Sequence, residues 1–411
     1  MNLTPKCRFC GAGLERTVVD LGMSPLCESY VDNKDLDKME AFYPLRVYVC
    51  EDCYLVQLLE YVKAKDIYTE YAYFSSYSDS WLAHARAYVK MITERLRLDG
   101  SSKVFELASN DGYLLQYFVE QGIGAVGIEP AANIAKVAND KGIKTIPRFF
   151  GLEVARDLVA EGSHADLLLG NNVLAHVPDI NDFVAGMKVL LASGGVITME
   201  FPHLLRLIEG NQFDTIYHEH FSYLSFLTVQ KIFGAHGLKV FDVEELPTHG
   251  GSLRIYGCHA EDETRPICSR VQALKAAEEE FGLMRVDTYS LFAQKVKETK
   301  FKLLRMLIGL KSRGKVIVGY GAPGKGNTLL NYCGIRTDFL DYTVDRNPYK
   351  HFKVLPGTHI PIYAPEKIRQ TRPDYLLILP WNLRDEIVAQ NDFIREWGGR
   401  FIVPIPEPEI L

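Results

Sequence analysis

The chain has 411 residues, 47% of them hydrophobic and 24% charged, and 46 basic against 52 acidic side chains leave a net charge of −6. That length predicts two to three domains at about 150 residues each, and the acidic balance argues against a non-specific nucleic-acid binder, which needs a basic face opposite phosphate. No apolar run reaches the roughly 18 residues of a membrane span, and the first ten residues lack the hydrophobic core of a signal peptide. A cytoplasmic protein with reduced thiols is therefore expected.

Five of the eight cysteines fall within the first 53 residues: Cys7, Cys10, Cys27, Cys50 and Cys53. Cys7-x-x-Cys10 and Cys50-x-x-Cys53 are two thiolate pairs, and two such pairs complete a tetrahedral zinc site with no open position. The spacing predicts a separate zinc-binding domain over 1–65, in which the metal is structural. Cys27 is left over and is expected to be a small core residue.

A second domain is expected over 66–262. An aromatic stretch leads into a helix over 80–98, whose apolar residues Trp81, Leu82, Ala85, Tyr88, Val89, Ile92 and Leu96 repeat near 3.6. Strand and helix then alternate: strands over 103–107, 125–130, 144–147, 166–174 and 194–202, helices over 112–122, 132–142, 152–162 and 180–194. This is the pattern of a doubly wound parallel sheet. Two runs, 239–246 and 252–260, close it as an antiparallel pair. Ligands bind at the carboxyl edge of such sheets. There the chain carries Glu106, then the small-residue turn Ala108-Ser109-Asn110-Asp111-Gly112, then Glu129-Pro130, then Asn171-Asn172. An acidic residue at Glu129 can hold two ribose hydroxyls. These stretches resemble class I S-adenosylmethionine-dependent methyltransferases, although the G-x-G-x-G of that class is absent. A NAD-binding half-fold shares the turn and the acid, but its G-x-G-x-x-G is missing here.

Past the fifth strand, Asp214 to Tyr223 holds two histidines, two carboxylates and two tyrosines. Histidine titrates near neutral pH and serves as a general base. O- or N-methylation needs little beyond a lone pair. C-methylation needs a carbanion, hence a base and a donor to the enolate oxygen.

Residues 263–411 predict a charged helical connector to about residue 313 and then a second Rossmann-like α/β domain. Its strands are expected over 315–321, 339–345, 375–381 and 400–406, and its helices over 327–334 and 383–398. Gly319 to Gly324 fits G-x-G-x-x-G, with Asp341 and Asp345 about 20 residues later, which taken alone indicates NAD. Lys325 follows the glycine turn, but Gly326 replaces the Ser/Thr of a phosphate-binding loop, so ATP chemistry is disfavoured.

The whole chain resembles the sugar C-methyltransferases of nucleotide-linked 4-keto deoxysugar biosynthesis. The resemblance rests on the four cysteines, Tyr71 to Tyr77, the Glu106–Gly112 turn, Asn171 to His176, Tyr217-His218-Glu219-His220, His249 to Arg254, and Gly319 to Asn327. It implies S-adenosylmethionine as donor and structural zinc. It implies that His220 removes the proton α to the C4 ketone, usually at C3, that Glu219 and Tyr217 support it, and that His176 and Tyr71 line the sugar pocket. It implies a C-terminal domain that helps hold the substrate without a nicotinamide. Tyr77, Tyr320, Lys325, Trp381 and Asn382 are then candidate substrate contacts, and Arg254 a second phosphate contact or else a solvated strand residue. Three domains enclose enough core to predict a monomer. An O- or N-methyltransferase, a NAD-dependent sugar oxidoreductase and a zinc-ribbon scaffold are the competing readings.

Overall fold

A computed structural model describes residues 4–67 and 74–411; Tyr71 lies outside them. The chain packs as two compact units, each assembled from three stretches. One comprises Met1–Glu15, Cys50–Leu204 and Phe221–Met284; the other comprises Arg16–Val49, Leu205–His220 and Arg285–Leu411. The cysteine-rich segment is thus shared. Its two cysteine pairs belong to the first unit, and residues 16–49 between them form a hairpin-based segment of the second.

The first unit is built on a seven-stranded sheet. The strand Lys103–Leu107 lies at its centre, parallel to Gly124–Ile128 on one side and to Ala165–Asn171 on the other. Thr145–Ile146 extends one edge in parallel, and Leu191–Pro202 continues the other. Ser252–His259 and Leu238–Leu246 close that edge antiparallel. The central strands are almost wholly buried, as expected of parallel strands covered on both faces. The helix Asp79–Leu96 starts where the Ser78 hydroxyl accepts from the Trp81 amide and stops where Arg97 turns left-handed. Its buried stripe Ala85, Tyr88, Val89 and Ile92 joins Val104, Leu167 and Val196 in one core. The helix expected over 112–122 is α-helical only at Gln116–Val119. Gly112 has φ 77°, so the chain leaves the turn through i→i+3 bonds such as Tyr117 N to Leu114 O, 3.1 Å.

One buried carboxylate fixes the far side of this unit. Glu278, on the helix Ser269–Phe281, is fully buried. It accepts from the Phe226 and Leu227 amides at 2.6 and 2.8 Å, at the start of the helix Phe226–Ala235, and pairs with His203 Nε2 at 2.6 Å.

The second unit holds a six-stranded sheet in the order Ile362–Tyr363, Thr343–Val344, Ile317–Tyr320, Tyr375–Ile378, Arg400–Val403, Glu409–Ile410. All pairs are parallel but the last. The helix Gly324–Cys333 follows the central strand, and the expected second helix divides into Arg384–Gln390 and a 3₁₀ stretch Asp392–Trp397. The connector is two helices; the second, Val286–Lys311, runs for 26 residues. The antiparallel hairpin Arg16–Ser24 with Tyr43–Val49 belongs to this unit.

Replacing Glu278 with Ala leaves two helix-start amides and a histidine without their acceptor, which destabilises by about 3 kcal/mol. The urea midpoint, followed by circular dichroism, should fall accordingly; an unchanged midpoint contradicts this role.

Candidate active site and metal centre

The two cysteine pairs form matching knuckles. Gly11 N donates to Cys7 O at 3.0 Å and Tyr54 N to Cys50 O at 2.9 Å; Cys7 N donates to Ala12 O and Cys50 N to Leu55 O. Both knuckles turn left-handed just after the second cysteine, at Gly11 (φ 78°) and Tyr54 (φ 65°). The four sulfurs lie within 4.8 Å of one another, and Cys7–Cys53 and Cys10–Cys50 are 3.5 Å apart. A zinc ion with Zn–S near about 2.3 Å has its sulfurs roughly 3.8 Å apart, so the four thiolates fit it. Gln57 Nε2 donates to Cys7 Sγ at 3.1 Å. When bound, zinc supplies a cross-link between two chain segments.

The donor turn opens after the strand Lys103–Leu107. Ala108, Asn110 and Gly112 have φ of 54°, 49° and 77°, so alternate residues adopt the left-handed form that G-x-G-x-G provides without strain. Asn tolerates it, and at Ala108 it costs about 1–2 kcal/mol. Glu129 holds the turn: Asn110 N donates to Oε2 at 3.0 Å and Ala131 N to Oε1 at 2.9 Å. Each oxygen retains a lone pair. Burial raises the Glu129 pKa to about 7, against the pull of those two amides. Both carboxylate oxygens of Glu106, Ser109 Oγ, Asp111 Oδ1 and Asn171 Nδ2 are buried without a partner among the described residues. Burial, then Glu129 and Asp111, push the Glu106 pKa well up. Buried polar groups left unpaired are rare in a native fold, and here they gather at the sheet's carboxyl edge. They fit the hydroxyl, amine and carboxylate groups of S-adenosylmethionine. Pro130 and Asn172 flank this edge, Asn172 with φ 63° and its amide on Glu200 O.

Two serines from the Tyr71–Tyr77 stretch, neither named as a site residue from the sequence, clasp this turn. Ser75 N donates to Asn110 Oδ1 at 2.9 Å, and the Ser76 hydroxyl donates to Asp111 Oδ2. Tyr77 beside them is exposed. His176 ends a short 3₁₀ turn, Leu174–His176, and is half-buried. Arg254 corrects both expectations placed on it. It is buried, paired with Glu200 at 2.5 Å and Glu244 at 3.1 Å, and lies over the Tyr88 ring. Its guanidinium closes the sheet edge internally, so it is neither a phosphate contact nor a solvated strand residue.

In the second unit the segment Asp214 to His220 is nearly all buried. His220 Nδ1 donates to the Thr215 carbonyl at 2.8 Å, which leaves the ring's lone pair on Nε2. The Tyr217 ring lies 4.0 Å away, tilted by 32°. Glu219 accepts from Cys27 Sγ at 3.5 Å; burial, then Glu219, pushes that thiol's pKa well up. His218 turns to the Pro44 carbonyl and the Tyr43 ring, and burial lowers its pKa.

Three expected substrate contacts meet in this unit. Lys325 Nζ donates to Asn382 Oδ1 at 2.8 Å and lies 4.7 Å over the Trp381 ring. Trp381 Nε1 donates to Asp214 Oδ2 at 2.7 Å, and Asp214 was not foreseen. Thr328 Oγ1 donates to Ile216 O, so the cluster is continuous with the segment that carries His220. Tyr320 is elsewhere, in a cavity of about 540 Å³ with Arg346, His351, Arg369, Asn391 and Phe393.

The glycine turn of this sheet is filled from within. Asp345 accepts from Ala322 N at 2.7 Å. The Glu28 carboxylate stands at the start of the helix, its Oε1 3.6 Å from where a Gly324 Cβ would lie; it accepts from Tyr30 Oη at 2.8 Å and has Lys350 Nζ at 3.8 Å. A Cβ on Gly324 would meet Cys27 Sγ at 2.8 Å. A dinucleotide's pyrophosphate belongs at this helix start, and the chain's own carboxylate stands there.

Three family models match in chain order: a zinc binding domain over residues 7–68, a methyltransferase domain over 81–243 and a C-methyltransferase C-terminal domain over 247–406. The C-methyltransferase NovU of Streptomyces niveus is 38% identical over 408 residues, which is 99% of this chain and 96% of NovU. The chain belongs to the C-methyltransferase family. Solved structures align at lower similarity. The PH0226 protein from Pyrococcus horikoshii OT3 covers 46% of this chain and 95% of its own at 14% identity, TM-score 0.38. Magnesium protoporphyrin IX methyltransferase from Synechocystis PCC 6803, with bound SAH, covers 43% and 83% at 14% identity, TM-score 0.34. This C-methyltransferase is an S-adenosylmethionine-dependent enzyme with a class I methyltransferase sheet, a second Rossmann-like sheet and a four-cysteine zinc centre. No helix among the described residues is long and apolar enough to cross a membrane.

Elemental analysis should find one zinc per chain, lost in Cys53→Ser along with part of the circular dichroism signal; full metal content in that variant contradicts the centre. If Glu129 receives the donor's ribose hydroxyls, they favour its ionised form, and burial has raised its pKa to about 7. Donor affinity by calorimetry should therefore rise between about pH 6 and 8, and Glu129→Gln should both weaken binding and flatten the profile. A flat wild-type profile counts against the assignment.

Proposed function

We propose that this C-methyltransferase methylates the carbon α to the C4 ketone, at C3, of a nucleotide-linked 4-keto deoxysugar, with His220 as general base. The observation that carries this reading is the anchored imidazole: Nδ1 is committed to Thr215 O, so Nε2 is the basic nitrogen. A transfer to oxygen or nitrogen needs no such base, and the matched relative bears the name C-methyltransferase.

In this reading the α-proton moves to His220 Nε2, and the C–H electron pair passes into the enolate with its charge on the ketone oxygen. Tyr217 and Glu219 flank the ring. S-adenosylmethionine, when bound, supplies an electrophilic methyl group whose transfer to that carbon breaks the S–CH₃ bond and leaves S-adenosylhomocysteine. His176 and Tyr71 line the sugar, and Tyr77 borders it. Lys325, Trp381 and Asn382 take the nucleotide diphosphate: the ammonium is a point charge for phosphate, the indole a stacking face. Tyr320 contributes from its cavity to the nucleoside end. The four-cysteine knuckles give metal support, the first sheet takes the donor and the C-terminal sheet helps hold the substrate, in a cytoplasmic monomer; the expected bounds 1–65, 66–262 and 263–411 differ from the packed units at 16–49 and 205–220. A nicotinamide oxidoreductase is disfavoured because Glu28 holds the pyrophosphate position.

The test is incubation with S-adenosylmethionine and a panel of nucleotide-linked 4-keto-6-deoxysugars in deuterium oxide, followed by mass spectrometry. One added methyl on carbon, with deuterium at the α position of unmethylated sugar, is expected. His220→Asn should keep donor binding and lose about 10²–10⁴-fold in turnover and exchange. Near-wild-type exchange in that variant, or fragmentation that places the methyl on oxygen, overturns the proposal.

A further inference from the structure

We propose that Arg8 is a positioning residue for methyl transfer: its guanidinium, gripped inside the first cysteine knuckle, splints the two chain segments next to His176 and His220. The inference rests on the reading of His220 as the base and goes beyond it.

Arg8 sits between Cys7 and Cys10, and its backbone is fixed on both sides. Its N–H donates to Gln57 Oε1 at 2.9 Å, while Gln57 Nε2 reaches the Cys7 sulfur. The carbonyls of Arg8 and Phe9 accept from Asn181 Nδ2 at 3.2 and 2.9 Å, and Asn181 Oδ1 is held by His236 Nε2 at 2.9 Å. From this seat the side chain runs inward. Nη1 donates to Pro178 O at 2.7 Å, Nη2 donates to Leu58 O, and the guanidinium lies 5.3 Å over the Phe221 ring.

Those three targets are tied to one another and lie close in sequence to the two histidines. Pro178 is two residues beyond His176. Phe221 follows His220 directly. Phe221 N donates to Ala175 O at 2.8 Å, and Leu58 N donates to Phe221 O at 3.0 Å. The pairing continues as Ser222 with Gln57 and Tyr223 with Val56. The residue before His176 and the residue after His220 are therefore joined by one hydrogen bond, and Arg8 clamps that joint from Pro178 on one side and Leu58 on the other. A planar fork that reads two carbonyls while stacking on a ring is a task lysine cannot copy. A buried cation is a poor way to gain stability alone, whereas small displacements at a base lower rates steeply.

The experiment compares full-chain Arg8→Lys and Arg8→Met with wild type, with His220→Asn, and with Val271→Ala as a stability control in the buried face of the 269–281 helix. Zinc content, thermal midpoint and donor affinity are measured first, then kcat, KM for the sugar, and α-deuterium exchange in the absence of donor. Zinc content and donor affinity should stay near wild type in the Arg8 variants. Their kcat and exchange rate should fall about 10- to 100-fold, with KM nearly unchanged. Exchange at the level of the Val271→Ala control overturns the proposal. If His220→Asn still exchanges, the base assignment itself fails; if His220→Asn is dead while the Arg8 variants exchange normally, only the role of Arg8 fails. Should the Arg8 variants lose zinc or fold poorly, Phe221→Leu removes the ring under the guanidinium and leaves the knuckle intact. A kcat and exchange deficit in the same direction is required of it.

Discussion

Two backbone amides ending on one buried carboxylate set the turn at the carboxyl edge of the first sheet. Glu129 draws Asn110 N and Ala131 N together, and this fixes the loop after the first strand to the loop after the second. With Asn110 held there, the chain turns left-handed at 108, 110 and 112 even though only the last is glycine. The strain at Ala108 is tolerated because the sheet over-determines the turn: its amide is held by Ile128 O at 2.8 Å, and Ser109 fills the space a side chain at Gly127 would need, 2.2 Å from an added Cβ. The same geometry leaves both Glu106 carboxylate oxygens, Ser109 Oγ and Asn171 Nδ2 buried without a partner among the described residues. A polar ligand is what makes such a pocket stable.

The second sheet begins from the same strand–turn–helix physics and ends differently. Its acid, Asp345, accepts from the Ala322 and Asn347 amides, and its helix start faces Glu28 rather than an open crevice. Tyr30 Oη and Lys350 Nζ also meet the Ala322 carbonyl, at 2.6 and 2.9 Å. The glycine turn has become an internal anchor for the 16–49 segment. Lys325, one residue past that helix start, is thereby turned toward Asn382 and Trp381.

The sequence was legible where chemistry is local. Paired C-x-x-C spacing announces a four-thiolate site because a knuckle needs only its own five or six residues. Apolar runs separated by amphipathic helices announce a parallel sheet, and both sheets follow that order. What stayed hidden depends on partners distant in sequence. Arg254 looked exposed because its partners Glu200 and Glu244 lie on neighbouring strands. The G-x-G-x-x-G looked open because Glu28 enters from almost 300 residues away in sequence. Ser75 and Ser76 have no motif, and their value is visible only against Asn110 and Asp111. Tyr54 takes a left-handed turn that sequence assigns to glycine; its ring lies 5.1 Å from Lys231 Nζ, which also reaches the Cys53 carbonyl.

The Asp214 cluster couples the buried ammonium of Lys325 to the imidazole of His220 through one segment. Burial draws the Lys325 pKa down, and Asp214 opposes that shift. Burial raises the Asp214 pKa to about 6, and Lys325 is the first group to pull it back. Each therefore offsets part of the other's burial cost. Asp214 belongs to the 3₁₀ turn Phe213–Thr215, and the carbonyl of Thr215 is the acceptor that orients His220. The group that sustains the cation and the group that sets the base's tautomer are adjacent residues on one rigid turn. A change that neutralises Asp214 therefore acts on both at once, through the charge of Lys325 and through the carbonyl that holds His220.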